Sequence, residues 1–193
     1  MTVGFAMCGS FCTYRLAFPA MEALAKTYTL IPIFSQTSYR TDSRFGQAQA
    51  HILRAAGICG TDPLHTLEQV EPIGPKKLLD ALVIAPCTGN TLAKLANGIA
   101  DTPVTMAAKS HLRNGRPILV AVSTNDALAG AAENIGRLLA RKHFYFVPFG
   151  QDDPVGKPTS MVADFDAIPQ ALEMALAGQQ IQPLLLGAPH GAT

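Results

Sequence analysis

Short polar segments follow several apolar runs of this sequence, and their residue types are those that bind anions. They are rich in hydroxyls, side-chain amides and glycines, and they stand where helices are predicted to begin. The first N–H groups of a helix have no partner within the helix, so phosphates and carboxylates bind there. The sequence therefore predicts a binding site for an anionic ligand, built from Gly9, Ser10, Phe11, Ser35, Thr88, Gly89, Asn90, Thr91, Ser123, Thr124 and Asn125.

The first of these segments lacks the fingerprint of a dinucleotide site. That fingerprint is G-x-G-x-x-G, with an acidic residue at the end of the second strand. Here Gly4 and Gly9 have a different spacing, and the second apolar run ends in Phe34 and Ser35. Gly9 is not followed by the lysine of a P-loop either. The pattern disfavours a resident nicotinamide nucleotide and favours a mononucleotide, although a tight turn with a helix cap explains Gly9 and Ser10 equally well.

Three side chains are candidates for catalysis. Asn90 can orient a carboxylate or a flavin at the start of a helix, or it can simply cap that helix. Asp152 and Asp153 can supply a base or bind a cation, or they can be solvated acids in a turn. Arg40 and Arg44 can clamp a carboxylate, although solvated arginines are the more common case. No metal site is predicted, because the four cysteines lack C-x-x-C spacing and no His/Cys cluster has zinc spacing.

Apolar runs alternate with helical patterns along the chain, and this order defines the predicted fold. The runs carry almost no charge, as strands buried on both faces do. The alternation predicts a single α/β domain over residues 1–193, with a doubly wound parallel sheet of about five or six strands covered on both sides and a Pro/Gly-rich tail from about residue 178. The predicted strands are 3–7, 28–34, 81–85, 117–122 and 145–147, the helices are 13–26, 44–56, 62–70, 90–100, 103–112, 127–142 and 164–177, and the loops are 35–43, 71–77 and 149–161.

Composition excludes several classes of protein. Lys and Arg number 15 and Asp and Glu 14, which gives a formal net charge of +1. A nucleic-acid binder or a polybasic membrane-surface protein would show a clear basic excess. Charged residues make up only 15% of the chain, so part of its surface is expected to be covered by other subunits. The sequence shows no secretory signal and no apolar run of membrane-spanning length, which predicts a cytoplasmic protein with reduced thiols.

Residues 85–101 (APCTGNTLAKLANGIAD) resemble the signature of the flavin-containing cysteine decarboxylase family. Its pattern runs P-x-S-A-N-T and then A-K-x-A-N-G-x-A-D. The resemblance implies a flavodoxin-like, Rossmann-like three-layer sandwich that binds FMN and assembles into trimers or multiples of trimers. It also implies that Asn90 lies at the flavin and contacts the substrate. The matching residues are Pro86, Asn90, Thr91, Ala93, Lys94, Ala96, Asn97, Gly98, Ala100 and Asp101.

Two departures from that family count against decarboxylation of a cysteine. The family places a catalytic histidine before the signature strand, whereas residues 68–80 contain none, and His65 precedes them. The family's P-A-M-N motif after the next strand has Thr124 in place of the methionine.

A second resemblance covers residues 3–183 and points to oxidoreductase subunits of sporulating bacteria. It is carried by residues 71–75, 88–90, 106–109, 112–117, 123–129, 146–154 and 180–183. It implies that a separate nucleotide-binding subunit, which carries NADP, works with this chain in the mother-cell cytoplasm to oxidise dihydrodipicolinate to dipicolinate (pyridine-2,6-dicarboxylate). Two alternatives remain: an FMN-dependent decarboxylase, and a non-catalytic scaffold subunit with a vestigial flavin pocket.

Overall fold

A seven-stranded sheet forms the centre of the computed structural model, which describes residues 1–187. Five strands are parallel and lie in the order β2-β1-β3-β4-β5, which is the flavodoxin-like order. The two remaining strands, β6 and β7, form an antiparallel pair that joins the carboxyl end of β4. The strands are β1 (Thr2–Met7), β2 (Thr29–Phe34), β3 (Ala81–Cys87), β4 (Ile118–Thr124), β5 (Phe144–Phe146), β6 (Phe149–Gly150) and β7 (Met161–Ala163).

Helices flank the sheet. They form two packed groups. Helix α1 packs against α8 in the first group, and α5 packs against α6 and α7 in the second. Because helices cover the sheet, every residue of β3 is buried and its sequence is a continuous apolar run. The helices are α1 (Tyr14–Ala25), α2 (Gln36–Arg40), α3 (Ala48–Cys59), α4 (Leu67–Val70), α5 (Gly89–Ala96), α6 (Pro103–Leu112), α7 (Ala132–Leu139) and α8 (Ile168–Leu176), with 3-10 turns at Phe11–Thr13, Glu71–Ile73 and Phe165–Ala167.

The outer strands of the sheet have partners on their outward sides. Leu64 bridges β2 on the side away from β1, donating its N–H to that strand and accepting another through its carbonyl. On β5, the side-chain amide of Gln180 imitates a neighbouring strand. Its Oε1 accepts from the Phe146 N–H at 2.8 Å, and its Nε2 donates to the Phe146 carbonyl at 2.7 Å. On β6, the neighbour is backbone: the Phe149 N–H donates to the Leu184 carbonyl, and the Leu186 N–H donates to the Phe149 carbonyl.

The structure confirms the α/β fold class and the parallel sheet, and it corrects several element bounds. Residues 36–40 form helix α2 rather than a loop, because the Ser35 hydroxyl caps it by accepting from the Ser38 N–H. Helix α3 begins at Ala48 and not at residue 44. Helix α4 covers only Leu67–Val70 and is capped by Thr66 instead of Asp62.

The later part of the chain differs more from the prediction. Strand β3 continues past residue 85 to Cys87, and helix α7 begins at Ala132 rather than at residue 127. Residues 149–161 were predicted to form one loop, but both ends of that segment enter strands β6 and β7. The tail predicted from about residue 178 lies partly outside the described residues.

Candidate functional site

A cavity of about 890 Å³ opens where β1, β3 and β4 end at their carboxyl side. Ligand sites of doubly wound sheets lie at this edge. The volume falls within the roughly 300–1,000 Å³ of typical small-molecule and cofactor sites. The wall is formed by Gly9, Ser10, Phe11, Cys12, Thr13, Arg15, Leu16, Arg44, Phe45, Thr88, Gly89, Asn90, Ser123, Thr124, Asn125, Asp126, Asp152, Lys157, Ser160 and Val162.

Three hydroxyls tie the β1 loop to the end of β4, across the intervening β3. The hydroxyl oxygens of Ser10 and Ser123 lie 2.8 Å apart, and those of Thr13 and Ser123 lie 3.2 Å apart. Thr13 also donates to the Ser10 carbonyl at 2.8 Å. Ser123 is only 3% exposed, so this contact fixes the loop that precedes the 3-10 turn and helix α1.

The start of helix α5 forms the middle of the wall. The Thr88 hydroxyl caps the helix by accepting from the Thr91 N–H at 3.3 Å. Gly89 lies against the β4 loop. A Cβ at this position would be 2.7 Å from Asp126 Oδ1 and 2.8 Å from Thr124 Oγ1, so glycine permits the approach. Asn90 is exposed and lines the cavity in the first turn of α5.

Two carboxylates line the cavity, and both are hydrogen bonded. Asp126 Oδ1 accepts from the Thr124 hydroxyl. Asp152 accepts from the Ser160 hydroxyl at 2.6 Å and from Lys157 Nζ at 3.2 Å. Partial burial alone would raise the pKa of Asp152, but the bonds from Ser160 and Lys157 outweigh it and lower that pKa from its usual value. Asp152 is therefore a charged, compensated carboxylate at neutral pH.

Most of the predicted site residues meet at this cavity, but three of them do not line its wall. Ser35 caps helix α2. Thr91 is buried and donates its hydroxyl to Cys8 Sγ at 3.3 Å. Asp153 accepts from the Gly156 N–H at 2.8 Å within a turn. Their predicted roles in binding and catalysis stay predictions. Those that line the wall are Gly9, Ser10, Phe11, Thr88, Gly89, Asn90, Ser123, Thr124, Asn125 and Asp152.

Sequence reasoning missed several charged and polar residues of the wall. Arg15 lies on helix α1, where its sequence context is typical of a surface residue. Lys157 and Ser160 reach the cavity because residues 151–160 return over it toward β7. Arg44, a candidate carboxylate clamp, does line the cavity. Three cations, Arg15, Arg44 and Lys157, therefore face two carboxylates.

The buried thiols of Cys8 and Cys87 and the nearby imidazoles supply no nucleophile or base to the cavity, whereas the exposed thiol of Cys12 does line it. Burial raises the pKa of Cys8 to about 11 and that of Cys87 well above its usual value, so both thiols stay protonated. His65 stacks on Tyr39 with ring centroids 3.7 Å apart. Among residues 1–187, no histidine lines the cavity.

Two further properties hold for the described part of the chain. It contains no group of three or more His, Cys, Asp and Glu side chains able to hold a metal ion. None of its helices combines the length and the apolar character needed to cross a membrane.

Comparison with known proteins shows the family to which this chain belongs. The sequence profile of the flavoprotein family matches residues 1–163, and the chain belongs to that family. It is similar to the B subunit of dipicolinate synthase from Bacillus subtilis (strain 168), with 44% identity over 185 residues, which cover 95% of this chain and 92% of that one.

Solved structures agree with this assignment. The crystal structure of the B subunit of dipicolinate synthase from Bacillus halodurans has a TM-score of 0.89 and 45% identity, and the match covers 97% of both chains. The FMN-dependent cysteine decarboxylase SpaF has a TM-score of 0.61 and 21% identity over 90% of this chain and 95% of that one. At that identity the decarboxylase shares the fold alone.

Proposed function

We propose that this chain is the B subunit of a dipicolinate synthase, which works in sporulation with the nucleotide-binding A subunit of that enzyme. The observation that carries the proposal is the 44% identity to such a B subunit over 95% of this chain. The proposed reaction oxidises dihydrodipicolinate to dipicolinate. It removes one hydride and one proton from the dihydropyridine ring, which becomes aromatic.

The charges of the cavity suit a dianionic substrate. Arg15, Arg44 and Lys157 line it, and an arginine can pair with a carboxylate through two parallel hydrogen bonds. Asn90 offers a side-chain amide in the same wall. Because aromatisation favours the product, the main task of these residues is to hold the ring in one orientation against a hydride acceptor.

The wall also fits a flavin mononucleotide. The hydroxyls of Ser10, Thr88 and Ser123 and the N-terminus of α5 would hold its phosphate, close to Gly89, whose lack of a side chain lets Thr124 and Asp126 approach. When bound, FMN supplies a ring that accepts a hydride. NADP is proposed to bind the partner subunit, which then provides the terminal acceptor.

Three residues of this chain are proposed to act in catalysis. Asn90 and Asp152 line the cavity, and Asp153 lies next to Asp152 in the chain. The lowered pKa of Asp152 makes it a weak base, so its proposed part is to hold Lys157 and Ser160 in place toward the substrate. Asn90 is proposed to orient the substrate or the flavin.

The experiment that tests the proposal compares the nucleotide-binding partner, this chain and their mixture, each with NADP and dihydrodipicolinate. Dipicolinate is measured by the absorbance of the aromatic ring. The proposal expects the mixture to form dipicolinate faster than either protein does on its own. Full activity of the nucleotide-binding partner without this chain would support the scaffold alternative instead. Release of carbon dioxide from a cysteine-ended peptide would support the decarboxylase alternative.

Single variants then test the cavity within the active mixture. Arg44→Gln is expected to raise KM for dihydrodipicolinate about tenfold, because a charged pair to a carboxylate is lost. Arg40→Gln is the matched control, since Arg40 does not line the cavity. Equal effects of both variants would remove Arg44 from the proposed site.

Cofactor and assembly are tested on the purified chain. Denaturation followed by mass spectrometry shows whether FMN is released in stoichiometric amount.

The proposed homo-oligomer is a trimer or a multiple of one. A dodecameric relative, the FMN-dependent UbiX-like decarboxylase from Escherichia coli O157:H7, has a TM-score of 0.61 and 21% identity to this chain. Light scattering of the eluted protein measures the mass of the assembly.

A further inference from the structure

Phe45 is an exposed aromatic residue in the wall of the cavity at the carboxyl ends of the strands. It is 46% exposed and lies outside the hydrophobic core. The other phenylalanine of this wall, Phe11, packs against the core, and its ring centroid lies 5.3 Å from that of Tyr14. Phe11 is therefore held by the fold, whereas Phe45 offers its ring to the cavity. An exposed ring in the wall of a small-molecule cavity is suited to stack on a ligand.

A tight turn over residues 43–46 fixes the place of Phe45. The Ser43 N–H donates to the Gly46 carbonyl at 3.0 Å, and the Gly46 N–H donates to the Ser43 carbonyl at 3.1 Å. The Ser43 hydroxyl also accepts from the Phe45 N–H at 3.1 Å. Gly46 has a φ of 138°, and a Cβ there would lie 2.8 Å from the His51 ring, so this position needs glycine. The backbone of the turn is thus set by its own bonds.

Arg44 adds a cation to the same turn. Its guanidinium carbon lies 4.8 Å from the centre of the Phe45 ring, and the residue is exposed. Such a contact between a cation and a ring is weak at an exposed site. A ligand carboxylate can therefore draw the guanidinium to the edge of the ring, and a flat ligand can take its place on the ring face.

A second cation reaches the cavity from another side. Arg44 lies between α2 and α3, which pack against β2. Lys157 lies between β6 and β7, and β7 pairs with the end of β4. Since β1 and β3 separate β2 from β4 in the sheet, the two cations approach the cavity from opposite sides. A ring that carries two carboxylates can pair with both of them at once.

We propose that Phe45 stacks on the ring of a flat dianion whose carboxylates pair with Arg44 and Lys157. The inference rests on the proposed function, because the dipicolinate of that reaction is such a dianion. Dihydrodipicolinate has a puckered ring, which stacks less closely than an aromatic ring does. Phe45 therefore favours the flattened ring that forms as the hydride leaves. Stacking on one face of the ring leaves the opposite face open to the hydride acceptor.

The test measures the preference of the site for a flat ring. Isophthalate (benzene-1,3-dicarboxylate) and cis-cyclohexane-1,3-dicarboxylate carry the same two charges, the first on a flat ring and the second on a puckered one. Isothermal titration calorimetry gives the Kd of each for the full chain as purified. The wild-type protein is expected to bind isophthalate about tenfold more tightly than the cyclohexane compound. Dipicolinate is titrated in parallel as the ligand of the proposed reaction.

Variants of Phe45 assign this preference to its ring. Phe45→Leu is expected to weaken isophthalate binding about fivefold and to change the Kd of the cyclohexane compound less than about twofold. Phe45→Tyr keeps an aromatic ring and should keep the preference. Ile99→Ala is the matched control, because Ile99 is 47% exposed and does not line this cavity. A merely structural role of Phe45 would weaken the binding of both dianions equally.

The charge and the reaction give two further readouts. Lys157→Gln is expected to weaken the binding of both dianions alike, by about tenfold, because it removes a charge that does not depend on ring shape. In the active mixture, Phe45→Leu is expected to lower kcat several-fold with little change in KM. The reason is that the lost contact strengthens only as the ring flattens.

The outcomes distinguish this inference from the proposed function. It is overturned if both dianions bind the wild-type protein equally, if Phe45→Leu weakens both equally, or if dipicolinate does not bind. Formation of dipicolinate by the two-protein mixture would still support the proposed function in each case. If the mixture forms no dipicolinate but the titrations behave as expected, the proposed function fails, and Phe45 stands as the stacking residue of a site for flat dianions.

Discussion

The two ends of the parallel strands use their polar side chains differently. At the amino ends, side chains bond to the backbone: His111 Nε2 contacts the Pro117 carbonyl at 3.1 Å, and Asp80 accepts from the Thr2 N–H at 2.8 Å. Arg116 donates to the Leu79 carbonyl and pairs with Asp80. At the carboxyl ends, several hydroxyls and carboxylates contact one another and line a cavity: Ser10 with Ser123, Thr124 with Asp126, and Ser160 with Asp152.

This difference separates what holds the fold from what binds a ligand. A side chain that bonds to a buried backbone group cannot be removed without costing that group a hydrogen bond. A hydroxyl that faces a cavity can be removed at lower cost, because water or a ligand takes its place. Substitutions at the amino ends should therefore lower stability, and those at the carboxyl ends should mainly lower affinity.

The largest expected effect belongs to the amino ends. His111 is fully buried, and His111→Ala leaves a cavity and removes one of two contacts of the Pro117 carbonyl, which also accepts from the Leu82 N–H at 3.1 Å. We expect the free energy of unfolding to fall by about 2–4 kcal/mol in urea denaturation. Arg44→Ala, at the other end, should change it by less than about 0.5 kcal/mol. Similar losses for both variants would contradict the comparison.

Acid should lower the stability of the folded protein through the same residue, His111. Burial lowers the pKa of His111 to about 4, whereas an unfolded histidine has a pKa of about 6.5. Between these values the unfolded chain binds more protons, so stability is complete above about pH 6.5 and falls as the pH is lowered toward about 4.

The histidine contribution between pH 7 and pH 5 is about 1–2 kcal/mol. To isolate this contribution, the free energy of unfolding is measured across this pH range for the wild-type protein and for His111→Gln. The variant should lose less stability than the wild type on acidification. Parallel curves would show that another group causes the loss.

At the carboxyl ends, Gly89→Ala should act on affinity. The added Cβ meets the carboxylate of Asp126 and the hydroxyl of Thr124, so the wall must shift. We expect FMN or dipicolinate affinity to fall about tenfold in a titration. The control is Gly136→Ala in α7, where a Cβ has no atom within 4 Å. It should raise stability by about 0.5–1 kcal/mol and leave affinity unchanged.

The smallest expected effect compares two helix caps. Thr88 accepts from the Thr91 N–H at 3.3 Å, and Thr102 accepts from the Thr105 N–H at 3.2 Å. Thr88→Val and Thr102→Val should each lower the free energy of unfolding by about 1 kcal/mol. Thr88 also lines the cavity, so its variant alone should weaken ligand binding. Equal binding by both variants would limit Thr88 to a capping role.

The sequence predicted the central strands and helix α6 well, because their signals are local. The uncharged runs of β3 and β4 are buried on both faces. Helix α6 has Pro103 at its first position and ends before the Asn114-Gly115 turn, so both bounds were predicted correctly. Helix α7 begins later than predicted, since the Asp126 carbonyl accepts from the N–H groups of Ala129 and Ala131 and forms a turn there.

The site was predictable only where strand ends place residues directly. Ser10 and Thr88 follow strands, Ser123 lies near the end of β4, and all three line the cavity. Lys157 and Ser160 reach the wall because β7, a strand of three residues, pairs with the end of β4. Such a short strand has no periodicity to detect. Ser35 and Thr91 show the converse. The Ser35 hydroxyl caps helix α2, and the Thr91 hydroxyl is buried and donates to Cys8 Sγ, so the same residue types serve the fold.

The covered strand edges have a consequence for how copies of the chain associate. An open edge strand offers unpaired N–H and C=O groups to another chain, and this is a common start of aggregation. Here Leu64, Gln180 and residues 184–186 already occupy the outward sides of β2, β5 and β6. Extension of the sheet from one molecule to the next is therefore disfavoured at these positions. We expect copies of the chain to associate through side chains on helices and loops.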